Sequence, residues 1–163
     1  MIARGIEAYI GNAAMLDLPL TAFVCSRQVP AEAVLRCYDW AIAQREAGVC
    51  VISGFHSPLE KDVLRLLLKG KQPVVLALAR GMKKTWELPI QKALDEGRLL
   101  IISPFSEEVR RASRATAAVR NDLMIQLATK VVAGYVHPGG ILHRRLQIEM
   151  EKRVEVLDVQ EEK

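Results

Sequence analysis

The sequence predicts a Rossmann-like α/β fold: a three-layer αβα domain with a mostly parallel sheet of about six strands. Three observations carry this expectation. Short apolar runs alternate with helical segments along the chain, at lengths that suit βαβ units. The runs are continuously apolar, as strands buried on both faces are. Crossovers between parallel strands are helical and right-handed, so this alternation builds one sheet covered on both sides.

Each element has its own signal. Thr21–Cys25 (TAFVC) is the first buried strand. Pro30 opens a helix in which Ala33, Val34, Cys37, Trp40 and Ala41 recur at helical spacing, ending near Gly48. Val49–Ser53 (VCVIS) is the second strand. Ser57-Pro58-Leu59-Glu60 starts the next helix, with serine as cap, proline in the first turn and Glu60 completing a capping box. That helix runs to about Lys69 and stops at Gly70. Pro73–Ala79 (PVVLALA) is the third strand. A helix over Pro89–Glu96 leads through Gly97 to the fourth, Leu99–Ile102. A longer helix falls within Ala112–Thr129, and Lys130–Val136 is the fifth strand. Pro138-Gly139-Gly140 turns into a last helix from Ile141 to about Glu151. Arg153–Leu157 (RVEVL) is a less apolar sixth strand, expected at an edge.

Composition sets the outer limits. The 163 residues suit one domain, expected over 1–160, with 161–163 a frayed end. Half the residues are hydrophobic but only 8 are aromatic, so the core is built from Leu, Val, Ile and Ala. No run reaches the roughly 20 apolar residues of a membrane span. Residues 1–12 lack the basic-then-apolar order of a signal peptide. Cys25, Cys37 and Cys50 form no Cys-x-x-Cys pair, which points to buried thiols in a reduced, cytoplasmic compartment. Residues 149–163 hold six acids and three bases, which leaves +7 on residues 1–148 out of a total of +4. A mildly basic body permits an anionic ligand or nucleic acid.

In sheets of this kind ligands sit beyond the carboxyl ends of the strands, where strand order reverses. The residues there are therefore the candidate site. Ser26-Arg27 follow the first strand, and Gly54-Phe55-His56 follow the second, directly before a helix N-terminus. Arg80-Gly81 follow the third, and Pro138-Gly139-Gly140 stand before the last helix. Glycines admit close backbone approach, and helix N-termini offer free N–H groups and partial positive charge. Arg27, Arg80 and Arg120 can add bidentate phosphate contacts. Arg110, Arg111, Arg114 and Arg120 crowd the start of the long helix, a candidate phosphate-contacting face. Phe55, Phe105 and Tyr135 are the aromatic residues placed to stack on a base.

Other chemistries are excluded by pattern. No Gly-x-Gly-x-x-Gly follows the first strand and no Gly-x-x-x-x-Gly-Lys-Ser/Thr occurs. His56, His137 and His143 have no zinc-ligand spacing. Neither a metal nor a cofactor is expected.

Taken in order, the strand-end residues resemble the DprA/Smf (DNA-processing protein A) family. Cys25-Ser26-Arg27 resembles its Gly-Ser-Arg turn. Val51-Ile52-Ser53-Gly54-Phe55-His56-Ser57-Pro58-Leu59-Glu60 fits its Val-Val-Ser-Gly-Leu-Ala-x-Gly-Ile-Asp segment. Val75–Met82 resembles its Ala-Val-Leu-Gly-x-Gly segment, and Arg120-Asn121 the start of its Arg-Asn-Arg, with Asp122 in the third place. Pro138-Gly139-Gly140 stands where the family has Ser-Gly-Ser, and Tyr9-Ile10-Gly11-Asn12 to Leu18 resembles its short lead-in. The resemblance implies a Rossmann-like fold and binding of single-stranded DNA, or a nucleotide-like phosphate ligand, for DNA processing and recombination. The residues it implicates are Ser26, Arg27, Ser53, Gly54, Phe55, His56, Arg80, Gly81, Arg120, Asn121 and Pro138 to Gly140. A homo-oligomer, such as a dimer, is expected.

Pro138-Gly139-Gly140 also resembles the Pro-Gly-Gly-x-Gly-Thr-x-x-Glu segment of the LOG-type phosphoribohydrolases, which cleave nucleoside monophosphates. Here Leu146 stands where that segment has its glutamate. Without a carboxylate there, hydrolysis lacks an agent, so binding ranks ahead of catalysis.

Overall fold

The computed structural model describes residues 5–149 and 153–157. Seven strands and five helices alternate among them: β1 (Ala8–Gly11), β2 (Leu20–Val24), α1 (Ala31–Ala47), β3 (Cys50–Ser53), α2 (Pro58–Leu68), β4 (Val74–Ala77), α3 (Leu88–Asp95), β5 (Leu99–Ser103), α4 (Arg114–Leu127), β6 (Lys130–Ala133), α5 (Ile141–Ile148) and β7 (Arg153–Val156). A short 3-10 turn over Ala13–Asp17 joins β1 to β2.

The sheet runs β1-β5-β4-β3-β2-β6-β7. All neighbours are parallel except β1, which is antiparallel to β5. The period-2 geometry of a strand explains its doubly buried character. Leu20, Ala22, Ile52, Val75, Leu100, Ile102 and Val131 enter one core, with Leu123, Met124 and Leu146 of α4 and α5. Their neighbours Phe23, Val51, Val74, Leu76, Leu99, Ile101 and Val132 enter the other, with Cys37 and Trp40 of α1 and Val63 and Leu67 of α2. An aromatic contact joins α1 to this face: Phe23 and Trp40 stack with ring centroids 5.0 Å apart.

The helices start and stop for local reasons. Ser57 accepts the Glu60 N–H while Glu60 reaches back to the cap backbone, the reciprocal box foreseen at Ser57-Pro58. Ser113 and Thr116 make the same box for α4, which starts the long helix at Arg114. Pro30 precedes α1, and Gly48 ends it in a left-handed conformation.

One strand was not foreseen. Ala8–Gly11, within the expected lead-in, pairs with the outer edge of β5. Its four residues alternate between half-buried and exposed, too short and mixed to stand out as an apolar run. The free edge of β5 organises it, a long-range effect absent from the local pattern. The fifth expected strand is shorter than its apolar run, ending at Ala133. The edge placement of β7 agrees with its weaker hydrophobicity. The expected frayed end at 161–163 lies outside the described residues. No described helix is long and apolar enough to cross a membrane.

Candidate functional site

The strand order places the topological switch between β2 and β6. From β2 the chain enters α1 on one face of the sheet, and from β6 it enters α5 on the other. The loops leaving these strands therefore diverge and open a crevice. Ser26 bridges its two sides. The Ser26 N–H donates to the Tyr135 carbonyl at 2.8 Å, and its hydroxyl oxygen accepts the His137 N–H at 2.8 Å. Arg27, next to it, is exposed.

On the far side, Pro138 and Gly139 are exposed and Gly140 is the N-cap of α5, with no side-chain cap. The Gly140 N–H is held by the His137 carbonyl at 3.0 Å, and the Gly139 N–H by His143 Nδ1 at 3.0 Å. The Arg144 guanidinium donates to the Gly139 carbonyl at 2.8 Å. The next N–H groups, those of Ile141, Leu142 and His143, meet no acceptor among the described residues. They leave an open positive helix end.

Arg120 dominates the neighbouring stretch of the sheet edge. It lies on α4 and is only 7% exposed. Its Nη1 donates to the carbonyl of Ala77, the last residue of β4, at 3.2 Å, and its Nε donates to Asn121 Oδ1 at 2.9 Å. Both acceptors are neutral. Its guanidinium lies against Gly54, where a Cβ would stand 2.0 Å from Nη1 and 2.4 Å from Cζ. Glycine at 54 is what gives this cation its seat. Burial pushes the Arg120 pKa down, while Glu60 supports its charge through space. A desolvated guanidinium with spare donors and neutral partners can receive an anion.

The turn between Gly54 and α2 is built around Glu60. Its Oε1 accepts the His56 N–H at 2.9 Å and the Ser57 N–H at 3.1 Å. The positive end of α2 is thus already filled by the chain's own carboxylate. Two glycine-flanked helix starts looked equivalent in the sequence; here one is occupied and the other is open. Ser53 is fully buried, and its hydroxyl oxygen accepts the Phe55 N–H at 3.3 Å, shaping the turn. Phe55 takes a positive φ of 46° and turns its ring into the core, 4% exposed. It is no stacking platform, contrary to the expectation from its position. His56 is exposed.

Arg80 and Gly81 belong to the next exits along the edge. Ser103 Oγ donates to the Arg80 carbonyl at 2.6 Å, and Arg80 Nε donates to the Gly81 carbonyl at 3.1 Å. Gly81 itself is buried and serves the backbone.

Two substitutions in the family pattern find local explanations. Asp122 lies on α4 beyond Arg120 and pairs with Arg145 of α5 at 2.5 Å, so its charge is neutralised. Cys25, in place of a glycine, is held as a thiol: a hydrogen bond with Cys37 and burial both push its pKa up. Glu60 is the residue of the candidate site whose second role sequence reasoning missed. Its capping box was legible, but its hold on the His56 amide and its field at Arg120 were not. Leu146, at the position of the phosphoribohydrolase glutamate, is buried in the core.

No protein-family model and no curated protein sequence matches the chain. Solved structures do. DNA processing protein A from Helicobacter pylori, described with a single-stranded DNA binding mode, superposes with a TM-score of 0.73 at 17% identity, over 98% of this chain and 79% of that one. DNA processing protein A from Streptococcus pneumoniae gives 0.70 at 16% identity, over 91% of this chain. The matched region is 53% of the pneumococcal protein, so the chain corresponds to about half its length. The molybdenum cofactor binding protein of Rippkaea orientalis gives 0.58 at 14% identity, over 85% of this chain and 75% of that one. At these identities the likeness establishes the fold: the Rossmann-like architecture of DNA processing protein A.

Proposed function

We propose that the chain is a DprA-like domain that binds single-stranded DNA through phosphate contacts at the carboxyl edge of its sheet, without covalent catalysis. The observation that carries this reading is Arg120, buried against Gly54 with only neutral acceptors. Burying a guanidinium whose direct acceptors are all neutral, with only the more distant charge of Glu60 to support it, opposes folding. An anion arriving there gains a charge-assisted, bidentate-capable donor that is already desolvated and held. Ser26-Arg27 and the open end of α5 supply further donors beside it. The family resemblance in the order of these loops, and the single-stranded DNA named for the H. pylori protein, support the choice of polymer. Cysteines that form no disulfide among the described residues fit a reducing, cytoplasmic setting.

Fluorescence anisotropy with a labelled oligothymidylate at low salt tests the proposal. The wild-type chain binds in the micromolar range, and Arg27→Ala with Arg120→Ala abolishes that binding. No binding at tens of micromolar, or binding untouched by the double substitution, overturns it.

The open end of α5 favours a second reading, in which one phosphate of a mononucleotide-like ligand docks on the Ile141 and Leu142 amides. A mononucleotide then raises the melting temperature as RT ln(1 + [L]/Kd). Under the first reading it has little effect at concentrations where the oligomer saturates. Release of free base from nucleoside monophosphates would instead show the hydrolase that Leu146 argues against.

A further inference from the structure

Two thiols meet at the floor of the crevice, and the phosphate contacts leave them unused. Cys25 follows Val24, the last residue of β2, and shares a face with Phe23, because side chains alternate along a strand. That face is the one covered by α1. Cys37 lies on α1, fully buried, within a row of small residues formed with Ala33 and Ala41. Small side chains at i, i+4 and i+8 let the helix settle close to the sheet at this point. Cys25 stands where the resembled turn has glycine, so the pair belongs to this chain and not to that pattern.

Independent contacts fix both sulfurs over the same peptide unit. A Cβ at Gly134 would stand 2.6 Å from Cys37 Sγ, so that sulfur rests on the Gly134 backbone. Val24 pairs with Ala133, which puts Cys25 level with Gly134 across the ladder. The Gly134 N–H donates to the Val24 carbonyl and the Ser26 N–H to the Tyr135 carbonyl, each at 2.8 Å, so the register holds on both sides of Cys25. The Cys25 sulfur lies by the Tyr135 N–H and is hydrogen-bonded to Cys37. The two differ in access: Cys25 is half-buried and Cys37 is enclosed. Cys50 stands apart from them. It opens β3 level with Leu20 and faces the other core. Leu20 and Cys25 are five residues apart along the strand, roughly 16 Å.

We propose that Cys25 and Cys37 form a reversible disulfide, a redox modification site that acts on the crevice through Ser26. The oxidant is a low-molecular-weight disulfide, RSSR. The thiolate of Cys25, the accessible partner, attacks one sulfur of RSSR; a bond forms between Cys25 and that sulfur, and RS⁻ leaves with the electron pair of the broken S–S bond. The Cys37 thiolate then attacks the Cys25 sulfur, forms the Cys25–Cys37 bond and expels the second RS⁻. The two cysteine protons end on two RSH, so the thiols give up two electrons and RSSR takes them. Cys25 is held as a thiol, so the exchange quickens as pH rises.

Closing the bond to about 2.05 Å draws the sulfurs together by roughly 1.5 Å. The Phe23–Trp40 stack holds α1, so the movement falls on Cys25 and Ser26 at the strand exit. The hydrogen bond that the His137 N–H donates to Ser26 Oγ, 2.8 Å long, is then lost.

The full chain is incubated with bis(2-hydroxyethyl) disulfide, denatured and digested with trypsin without reduction. The peptide Gly5–Arg27 is expected joined to Cys37–Arg45, two hydrogens lighter than their sum and separated by dithiothreitol, with Cys50 unmodified. Cys37→Ala stops at the mixed disulfide on Cys25, and Cys25→Ala leaves Cys37 unmodified. In the oxidised wild type the His137 amide exchanges with solvent about 3- to 10-fold faster than in the reduced protein. A wild-type chain that stays reduced, stops at the mixed disulfide on Cys25, or links either residue to Cys50 overturns the pair. Modification of Cys37 in Cys25→Ala overturns the order of attack. A Cys25–Cys37 bond with unchanged exchange at His137 overturns the action on the crevice. None of these readouts involves a nucleic acid, so the single-strand proposal stands or falls separately.

Discussion

Gly54→Ala isolates the seat of Arg120 without touching its charge. The added methyl would stand 2.0 Å from Nη1 and 3.1 Å from Nε. Ordinary heavy-atom contacts begin near 3.5 Å, so the guanidinium must retreat by about 1.5 Å. It cannot then keep its bond to the Ala77 carbonyl, whose loss costs about 1.5–3 kcal/mol as a hydrogen bond to a charged group. Two effects offset this. The displaced cation recovers hydration, and alanine at a position with ordinary φ lowers the entropy of the unfolded chain by about 0.4–1 kcal/mol. The net destabilisation expected is about 1 kcal/mol, a fall in Tm of about 3 °C for a chain of this size. Binding suffers far more. Displacing this desolvated guanidinium removes a charge-assisted contact of about 2 kcal/mol, or roughly 30-fold in Kd. Anisotropy titration with an oligothymidylate, beside a thermal melt, reads both quantities on one preparation. A Gly54→Ala protein that binds like wild type would show that the position of Arg120 against Gly54 is irrelevant to the ligand, and the Arg120 proposal would fall with it.

Three further outcomes are expected. Arg120→Lys keeps the charge but loses the planar fork that serves Ala77 and Asn121 together, so oligothymidylate affinity drops by about tenfold and is not restored by lowering the salt; full retention would mean that a point charge suffices. Glu60→Gln leaves an oxygen to accept the His56 and Ser57 amides but removes a negative charge beside the crevice, so it tightens oligothymidylate several-fold and costs about 0.3–1 kcal/mol of stability; unchanged affinity would disconnect Glu60 from the site. Burial pushes the Cys50 thiol from 9.0 up to about 12. The unfolded chain releases that proton first, so its contribution is fully present below pH 9 and is lost as pH rises towards about 12. Denaturant melts of wild type and Cys50→Ala between pH 8 and 11 should converge as pH rises, and parallel curves would refute this assignment.

Much of this molecule could be read along the chain, because the relevant signals are local. Unbroken apolar runs at 49–53 and 73–79 demand burial on both faces, and the structure divides each run between two cores. The Ser57 box and the Gly48 stop act within a few residues of the ends they define, so helix boundaries were legible to within a few positions. Once the strands were placed, the rule that ligands gather at their carboxyl ends selected the loops of the candidate site.

Other features needed the tertiary structure because they depend on partners distant in sequence. Strand β1 exists because β5 has a free edge, not because Ala8–Gly11 has a strong pattern of its own. Phe55 takes a positive φ and its ring lies in the core, neither of which the letters Gly-Phe-His announce. The rotation of α4 directs Arg120 inward and Asp122 outward to Arg145, a distinction that the adjacent letters Arg-Asn-Asp do not contain. By itself the sequence determined a parallel, doubly covered sheet and the loops beyond its strands. Only the folded chain decided which of two similar helix ends stays open and which arginine is stripped of water against a glycine, because a charge's environment is set by everything packed around it and not by its neighbours along the chain.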